Sequence, residues 1–216
     1  MTTTSKVAII GLGNIGKVVA ANLAKSDRAF IAADRNVSKA KLLAAQWGSA
    51  ATPSDIASAV KEADIVVLSI PFGTISDFMK QHAADLEGKI IIDPSNPIAP
   101  DEKGGFKKII EANQSAGQIN AASLPKNAKL VKALGTLAAG SLAGAAYQKP
   151  EAAVLFYATD DTTIDAQVEA LIADTGFAPV RVGGLNQSLR LEVFGDLHEF
   201  GALGKTVNTT EAKSKI

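Results

Sequence analysis

The sequence predicts an α/β fold: a doubly wound parallel sheet with a small C-terminal α/β extension. Three observations carry this. Short apolar runs alternate with segments of helical periodicity along the whole chain. Two of the runs, Asp64–Ile70 and Lys89–Asp93, are almost unbroken, as strands covered on both faces are. The first run stops at a glycine turn that opens a helix. At 216 residues the chain suffices for one full domain and a small appendage, and we divide it at residues 1–148 and 149–216.

Val7–Ile10 is the first strand, and Asn14–Lys25 follows as a helix with Ile15, Val19 and Leu23 on one face. Ala29–Ala33 returns as a strand, and Ala40, Leu43, Ala44 and Trp47 line the next helix. Ser54 is read as the cap of a short helix holding Ile56, Ala59 and Val60. After the two buried runs, Pro94–Gly105 reads as a long loop, with His82 on a surface helix before it. Gln114–Ser123 is expected to be helical, Leu130–Leu134 and Ala152–Tyr157 to be strands. Asp160 to Thr162 cap a helix with Ile164, Val168, Leu171 and Ile172 on its buried face. Pro179–Val182 is the last strand, Gln187–Leu203 a closing helical segment, and Asn208–Ile216 a polar, mobile tail.

Composition narrows the function classes. The 22 basic residues balance 22 acidic ones, so no net field draws nucleic acid. There is no cysteine, which excludes thiolate nucleophiles, disulfides and cysteine metal sites and suits a reducing cytoplasm. The opening Met1–Ser5 is polar and shows no secretory signal. The longest uncharged stretch, Ala133–Gln148, is too short and too rich in Gly, Ala and Ser to span a bilayer; its Gly140 and Gly144 read as a site of close helix packing.

The chemistry-bearing motif is Gly11-Leu12-Gly13-Asn14-Ile15-Gly16. Gly-x-Gly-x-x-Gly alone is weak evidence, but here it joins a strand to a helix, the context of a Rossmann dinucleotide site. Gly11 permits the tight turn, Gly13 lets a pyrophosphate approach the backbone, and Gly16 lets the helix lie close to the strand. The free amides at the start of the Asn14 helix then face an anion. The second strand ends in Asp34-Arg35. An acidic residue there favours NAD by accepting from the ribose, whereas Arg35 suits the 2′-phosphate of NADP, and Lys39 adds positive charge one helical turn on. From these residues alone NADP and NAD stay equally open.

Ligands in such sheets sit beyond the carboxyl ends of the strands. Ser69-Ile70-Pro71-Phe72 ends one strand and Asp93-Pro94-Ser95-Asn96-Pro97 another. Both are expected to border the ribose and nicotinamide, with Phe72 offering a flat apolar surface. His198, close to Arg190, Glu192, Asp196 and Glu199, is the one candidate catalytic residue, as a proton donor or substrate ligand. No Tyr-x-x-x-Lys pair, no histidine–carboxylate set at metal spacing and no Gly-x-Ser-x-Gly elbow is present, so no metal is expected. Such a chain suits direct hydride transfer between flat rings, where placement provides the catalysis.

Val7–Gly16, Ser69–Phe72, Gly88–Pro97, Lys132–Leu137 and Thr175–Val180 resemble, in the same order, the NADP-dependent oxidoreductases of the coenzyme F420 (deazaflavin) type. The stretch ending Asp93-Pro94-Ser95-Asn96-Pro97 is the most specific part. The resemblance implies a Rossmann domain with a small C-terminal domain, a homodimer, and hydride exchange between NADP(H) and a deazaflavin. Gly11, Gly13, Gly16 and Arg35 match the family's cofactor residues. Two positions depart: Asp34 stands where the family has a small hydroxyl residue, and Lys132-Ala133-Leu134-Gly135-Thr136 carries Gly135 in place of an asparagine, so that only Thr136 carries over there. The expectation is an NADP(H) oxidoreductase with a small flat-ring acceptor and no nucleic-acid or membrane partner. A catalytically silent NAD(P)-binding redox sensor is the alternative. An imine or pyrroline reductase is a weaker reading, since those carry a further helical domain.

Overall fold

The computed structural model describes residues 4–216; the polar opening read for a missing secretory signal lies largely outside them, at residues 1–3. Strands β1 (Val7–Ile10), β2 (Phe30–Ala33), β3 (Ala51–Ser54), β4 (Ile65–Leu68) and β5 (Ile90–Asp93) alternate with helices α1 (Asn14–Lys25), α2 (Val37–Gln46), α3 (Ile56–Glu62), α4 (Phe72–Gln81) and α5 (Ala83–Leu86). A hairpin of β6 (Ile98–Pro100) and β7 (Phe106–Lys108) follows, then α6 (Ala116–Ala121), β8 (Lys129–Lys132), α7 (Ala139–Gly144), β9 (Val154–Ala158), α8 (Asp165–Asp174), β10 (Ala178–Gly183), α9 (Ser188–Leu191) and α10 (Thr209–Lys213).

Eight strands form one sheet in the order β10-β9-β8-β5-β4-β1-β2-β3. The apolar runs set its two-sided burial. Along β1, Val7 and Ile9 pack with α1, α2, α7 and α8, while Ala8 and Ile10 pack with α3, α4 and α5 on the other face. The strand order reverses beside β1, between its parallel neighbours β2 and β4, and that crevice is where such sheets bind ligands. No helix among the described residues is long and apolar enough to cross a membrane.

Several expectations change. The sheet is parallel from β3 to β8, but β9 pairs antiparallel to β8 and β10 follows β9. Apolar composition reports that a strand is buried, not the direction in which it runs. Ala51–Ser54 is an edge strand that periodicity missed, and Pro53 is tolerated there because an edge strand has an unpaired side. Asp55, not Ser54, caps α3 by accepting from the Ser58 amide. The Pro94–Gly105 loop contains β6, which pairs with β7. His82 sits at the junction of α4 and α5, its ring centre 4.6 Å from that of Phe78 and tilted 41° to it. Gly140 and Gly144 have open space where a Cβ would stand, so the close-packing reading of that pair fails. The tail is ordered by a capping box in which Asn208 and Glu211 satisfy each other's backbone amides.

The closing helix is short because Glu192 leaves it. Glu192 is extended, at φ −86° and ψ 163°, and turns a buried carboxylate onto the amides of Ala116 and Gly117 at 3.0 and 3.1 Å. That carboxylate caps α6. Burial pushes it above the ordinary carboxyl range, against the pull of Lys132 and the two amides. Lys132 is itself 2% exposed and pairs with Asp93 at 3.3 Å while donating to the Ser95 carbonyl. Lys132→Met strands two buried carboxylates without their cation. Removing one partner of a buried pair costs about 3–5 kcal/mol, and the loss is read from the urea unfolding midpoint.

Candidate dinucleotide and acceptor site

The turn from β1 into α1 is built by crowding. Gly11 has φ +90°, and a Cβ on it would run into the Ser69 carbonyl and the Ile70 side chain. A Cβ on Gly16 would run into the Gly11 carbonyl. Gly13 differs: nothing lies within 4 Å of where its Cβ would stand. No packing inside the protein requires a glycine there, so the open space suits a ligand. Helix α1 begins at that point with no side-chain cap and no acidic residue in its first turn, leaving its amides free for an anion.

Two cavities meet at this turn. The first, about 550 Å³, is lined by Gly11, Gly13, Asp34, Arg35, Lys39, Ser69, Ile70 and Pro71, and closed by Ile56, Thr74, Phe78 and Gln81. The second, about 560 Å³, shares Gly13, Ser69, Ile70 and Pro71 and adds Asn14, Ile15, Pro94, Ser95 and Asn96. Its outer wall is Ile98 and Phe106 of the hairpin, Gly135 and Leu137 after β8, and Val193, His198 and Phe200 from the C-terminal segment. The pair has room for a dinucleotide, which would set its adenosine in the first cavity, its pyrophosphate at Gly13 and its nicotinamide in the second. The residues that would hold it are Gly13, the α1 amides, Arg35, Ser69 and Ile70.

Asp34 is engaged by the protein. Its Oδ2 accepts from the Leu12 amide at 3.0 Å and the Lys39 ammonium at 2.9 Å, and its Oδ1 from the Asn36 amide at 3.1 Å. Burial alone would raise this carboxyl; the bonds from Lys39, Asn36 and Leu12 outweigh it and hold it below the ordinary value. Arg35 is exposed at the cavity, with no ion-pair partner among the described residues.

Other residues named from the sequence fall into distinct places. Leu12 is fully buried, and Asp93 lies beneath the floor, bonded to the Ser95 amide at 2.7 Å and to Asn120 at 2.8 Å. Asn96 borders the second cavity with both ends of its side chain occupied, donating to the Gly135 carbonyl at 3.0 Å and accepting from the Val193 amide at 2.7 Å. The Ser95 hydroxyl is buried without a partner at the same cavity. Thr136 is 2% exposed and, like Phe72, Gly16 and Pro97, lines neither cavity. Phe78, six residues further along α4, lines the first cavity, and the aromatic wall of the second comes from Phe106 and Phe200. Phe106 and Phe200, about half exposed, were missed. Large exposed aromatics in loops beside a Rossmann core were the available signal.

His198 is 2% exposed and accepts from the Phe200 amide at Nδ1, at 2.9 Å, which puts its proton on Nε2. Burial lowers its pKa to about 4, opposed only in part by Glu199 and a hydrogen bond to Gly135. The ring is therefore neutral at physiological pH, and it pins the cavity wall.

The arrangement defines a class: a Rossmann-like α/β protein with a two-chambered cleft at the switch point of its sheet. Residues 6–97, the segment from β1 to the loop after β5, match the family described as NADP oxidoreductase, coenzyme F420-dependent. Among solved structures, the hypothetical protein SMa0349 of Sinorhizobium meliloti superposes with a TM-score of 0.82 at 26% identity, covering 97% of this chain and 98% of that one. A proposed F420-dependent NADP reductase from Arthrobacter sp. FB24 gives 0.71 at 22% identity, covering 86% and 87%. A reductive aminase from Aspergillus terreus, solved with NADPH and ethyl-5-oxohexanoate, gives 0.57 at 19% identity; the match covers 87% of this chain and 57% of that one.

The glycines separate folding from binding. Gly16→Ala is expected to destabilise the fold measurably, since a backbone carbonyl must move. Gly13→Ala is expected to keep the melting temperature within about 2 °C while weakening the dinucleotide about tenfold or more, in paired melting and titration experiments. His198 gives a pH signature. Its folded pKa lies below its ordinary value, so the folded state binds fewer protons than the unfolded state. Its contribution is complete above about pH 6.5 and is lost as the pH falls toward 4, with a slope of at most about 1.4 kcal/mol per pH unit. His198→Asn, which keeps an acceptor for the Phe200 amide, is expected to remove that slope from pH-dependent unfolding.

Proposed function

We propose that this protein transfers a hydride between NADP(H) and a flat-ring acceptor, a deazaflavin of the coenzyme F420 type or a flavin. The observation that carries this reading is the second cavity. It opens onto the pyrophosphate turn, it is walled by Phe106, Phe200, Ile98, Val193 and Leu137, and its one titratable side chain is the neutral His198. Such a chamber favours an apolar ring and provides no acid or base. NADP(H) held there would supply or take the hydride, and the proton that balances reduction of the ring would come from solvent. Ser69, Ile70 and Pro71, common to both cavities, set the depth of the nicotinamide. The buried, unpartnered Ser95 hydroxyl is available to its carboxamide.

In this reading residues 1–148 hold the dinucleotide and 149–216 complete the acceptor chamber through Val193, His198 and Phe200. The exposed Ile109, Leu189 and Phe194 beside the chamber suit packing of a second copy, as a homodimer would require, and the absence of cysteine suits the cytoplasm. A silent redox sensor is the second reading, favoured by Gly135, where the family pattern has an asparagine. Mixing the protein with NADPH and each acceptor separates the two. Loss of nicotinamide absorbance with a flat-ring acceptor supports the enzyme, and tight NADPH binding with no turnover on any of them supports the sensor.

The cofactor is NADP(H) in this proposal because Arg35 is free and Asp34 is not. Arg35→Ala is expected to weaken NADPH by about 1.5–3 kcal/mol and to leave NADH nearly unchanged. Equal losses for both nucleotides, measured by fluorescence titration, would remove Arg35 from the phosphate subsite.

A further inference from the structure

An acidic residue at the end of the second strand ordinarily accepts from the ribose hydroxyls and disfavours a 2′-phosphate. Asp34 has that position, yet Arg35 beside it is placed for the phosphate. The bonds to Asp34 resolve the conflict. Two of its three donors, the Leu12 and Asn36 amides, are backbone groups. The third is a side chain, Lys39, whose ammonium lies 2.9 Å from Oδ2. The Asp34 side chain is 9% exposed and that of Lys39 is 41% exposed, and both line the adenosine cavity. The cation therefore sits at the open side of the carboxylate, where a ribose would come.

We propose that Lys39 sets the cofactor preference through Asp34: its ammonium occupies the oxygen a ribose would use and neutralises the charge that would repel a 2′-phosphate. Arg35 is then left to hold that phosphate. The proposal rests on the NADP(H) reading above and names its specificity device. Lys39 is a positioning residue here. Unlike the exposed pair Lys205–Glu211, this one joins Lys39 to a carboxylate that is almost without solvent and that borders the first cavity. A direct phosphate ligand and a simple structural brace remain as rival roles, and each predicts a different pattern of affinities.

The test is calorimetric titration of the wild type, Lys39→Met, Lys39→Arg and the double variant Lys39→Met/Asp34→Asn. The ligands are NADPH, NADH and the fragments 2′,5′-ADP and 5′-AMP, and melting curves check each fold. With Lys39→Met, NADPH and 2′,5′-ADP are expected to weaken about tenfold or more. NADH is expected to tighten about three- to tenfold as Asp34 becomes free for the ribose. Lys39→Arg stays within about threefold of the wild type on all ligands, because the ion pair persists. The double variant loses the gain in NADH. A fall in NADPH with NADH unchanged makes Lys39 a direct phosphate ligand and overturns the proposal. Parallel loss of both makes it a structural brace and also overturns it. A wild type that prefers NADH overturns the NADP(H) reading itself, and this proposal with it.

Discussion

The ammonium of Lys132 is the group on which the floor of the second cavity depends. It stands at the carboxyl end of β8, almost without solvent, between the Asp93 carboxylate and the Ser95 carbonyl. A buried charge is tolerated only when it is paired and fully hydrogen-bonded, so these contacts lock one another in place. Asp93 in turn holds the Ser95 amide and Asn120 of α6, and Glu192 holds the start of the same helix. Four chain segments far apart in sequence are joined in this way: β5, β8, α6 and the C-terminal segment. The loop Pro94–Asn96 projects from this base into the cleft, and its rigidity comes from charges beneath it rather than from its prolines alone.

The dinucleotide half is held by a different force. Steric contact with Ser69 and Ile70 fixes the Gly11–Gly16 turn, together with the buried Asp34 carboxylate that accepts from the Leu12 amide. The two chambers differ in chemistry accordingly. Asp34, Arg35, Lys39 and Asp77 line the first, so it suits phosphate and ribose. No formal charge lines the second, so it suits a ring whose placement does the chemical work. Gly13, Ser69, Ile70 and Pro71 form the shared wall, so the turn after β1 and the segment after β4 are where the two chambers meet.

Much of this was legible in the sequence. Strands buried on both faces leave unbroken apolar runs, and β1, β4 and β5 were read within a few residues because burial dictates their composition. The turn at Gly11 was legible because close backbone approach leaves only glycine. What stayed hidden depended on partners distant in the chain. The direction of β9 is decided by the path that follows β8, not by the residues of the strand. The break in the closing helix at Glu192 follows from a cap on a helix more than 70 residues earlier, as the bonds to Ala116 and Gly117 show. Phe106 and Phe200 came into view as cleft residues only once the hairpin and the C-terminal segment were seen to face each other. Lys39 read as one more positive charge toward a phosphate, and its pairing with Asp34 stayed hidden because Asp34 was weighed as a ligand group and not as a partner.

Gly135 shows why a departure from a family pattern has to be read in three dimensions. A side chain there would run into the Pro94 carbonyl, so the glycine lets the loops after β5 and β8 touch. An asparagine at 135 would hold them apart. An amide is still present at the junction, but it comes from the other loop: Asn96 reaches the Gly135 carbonyl and, with its opposite end, the Val193 amide. Both ends are spent on the wall, and neither is left for a ligand. The substitution thus removes a side chain with hydrogen-bonding capacity from one loop and commits the amide of the other to closure. What the chamber loses in polar recognition it keeps as smooth apolar surface, with Leu137, Val193, Phe106 and Phe200 facing it. In the proposed reaction, selection among acceptors would therefore fall to width and shape rather than to hydrogen bonds made at position 135.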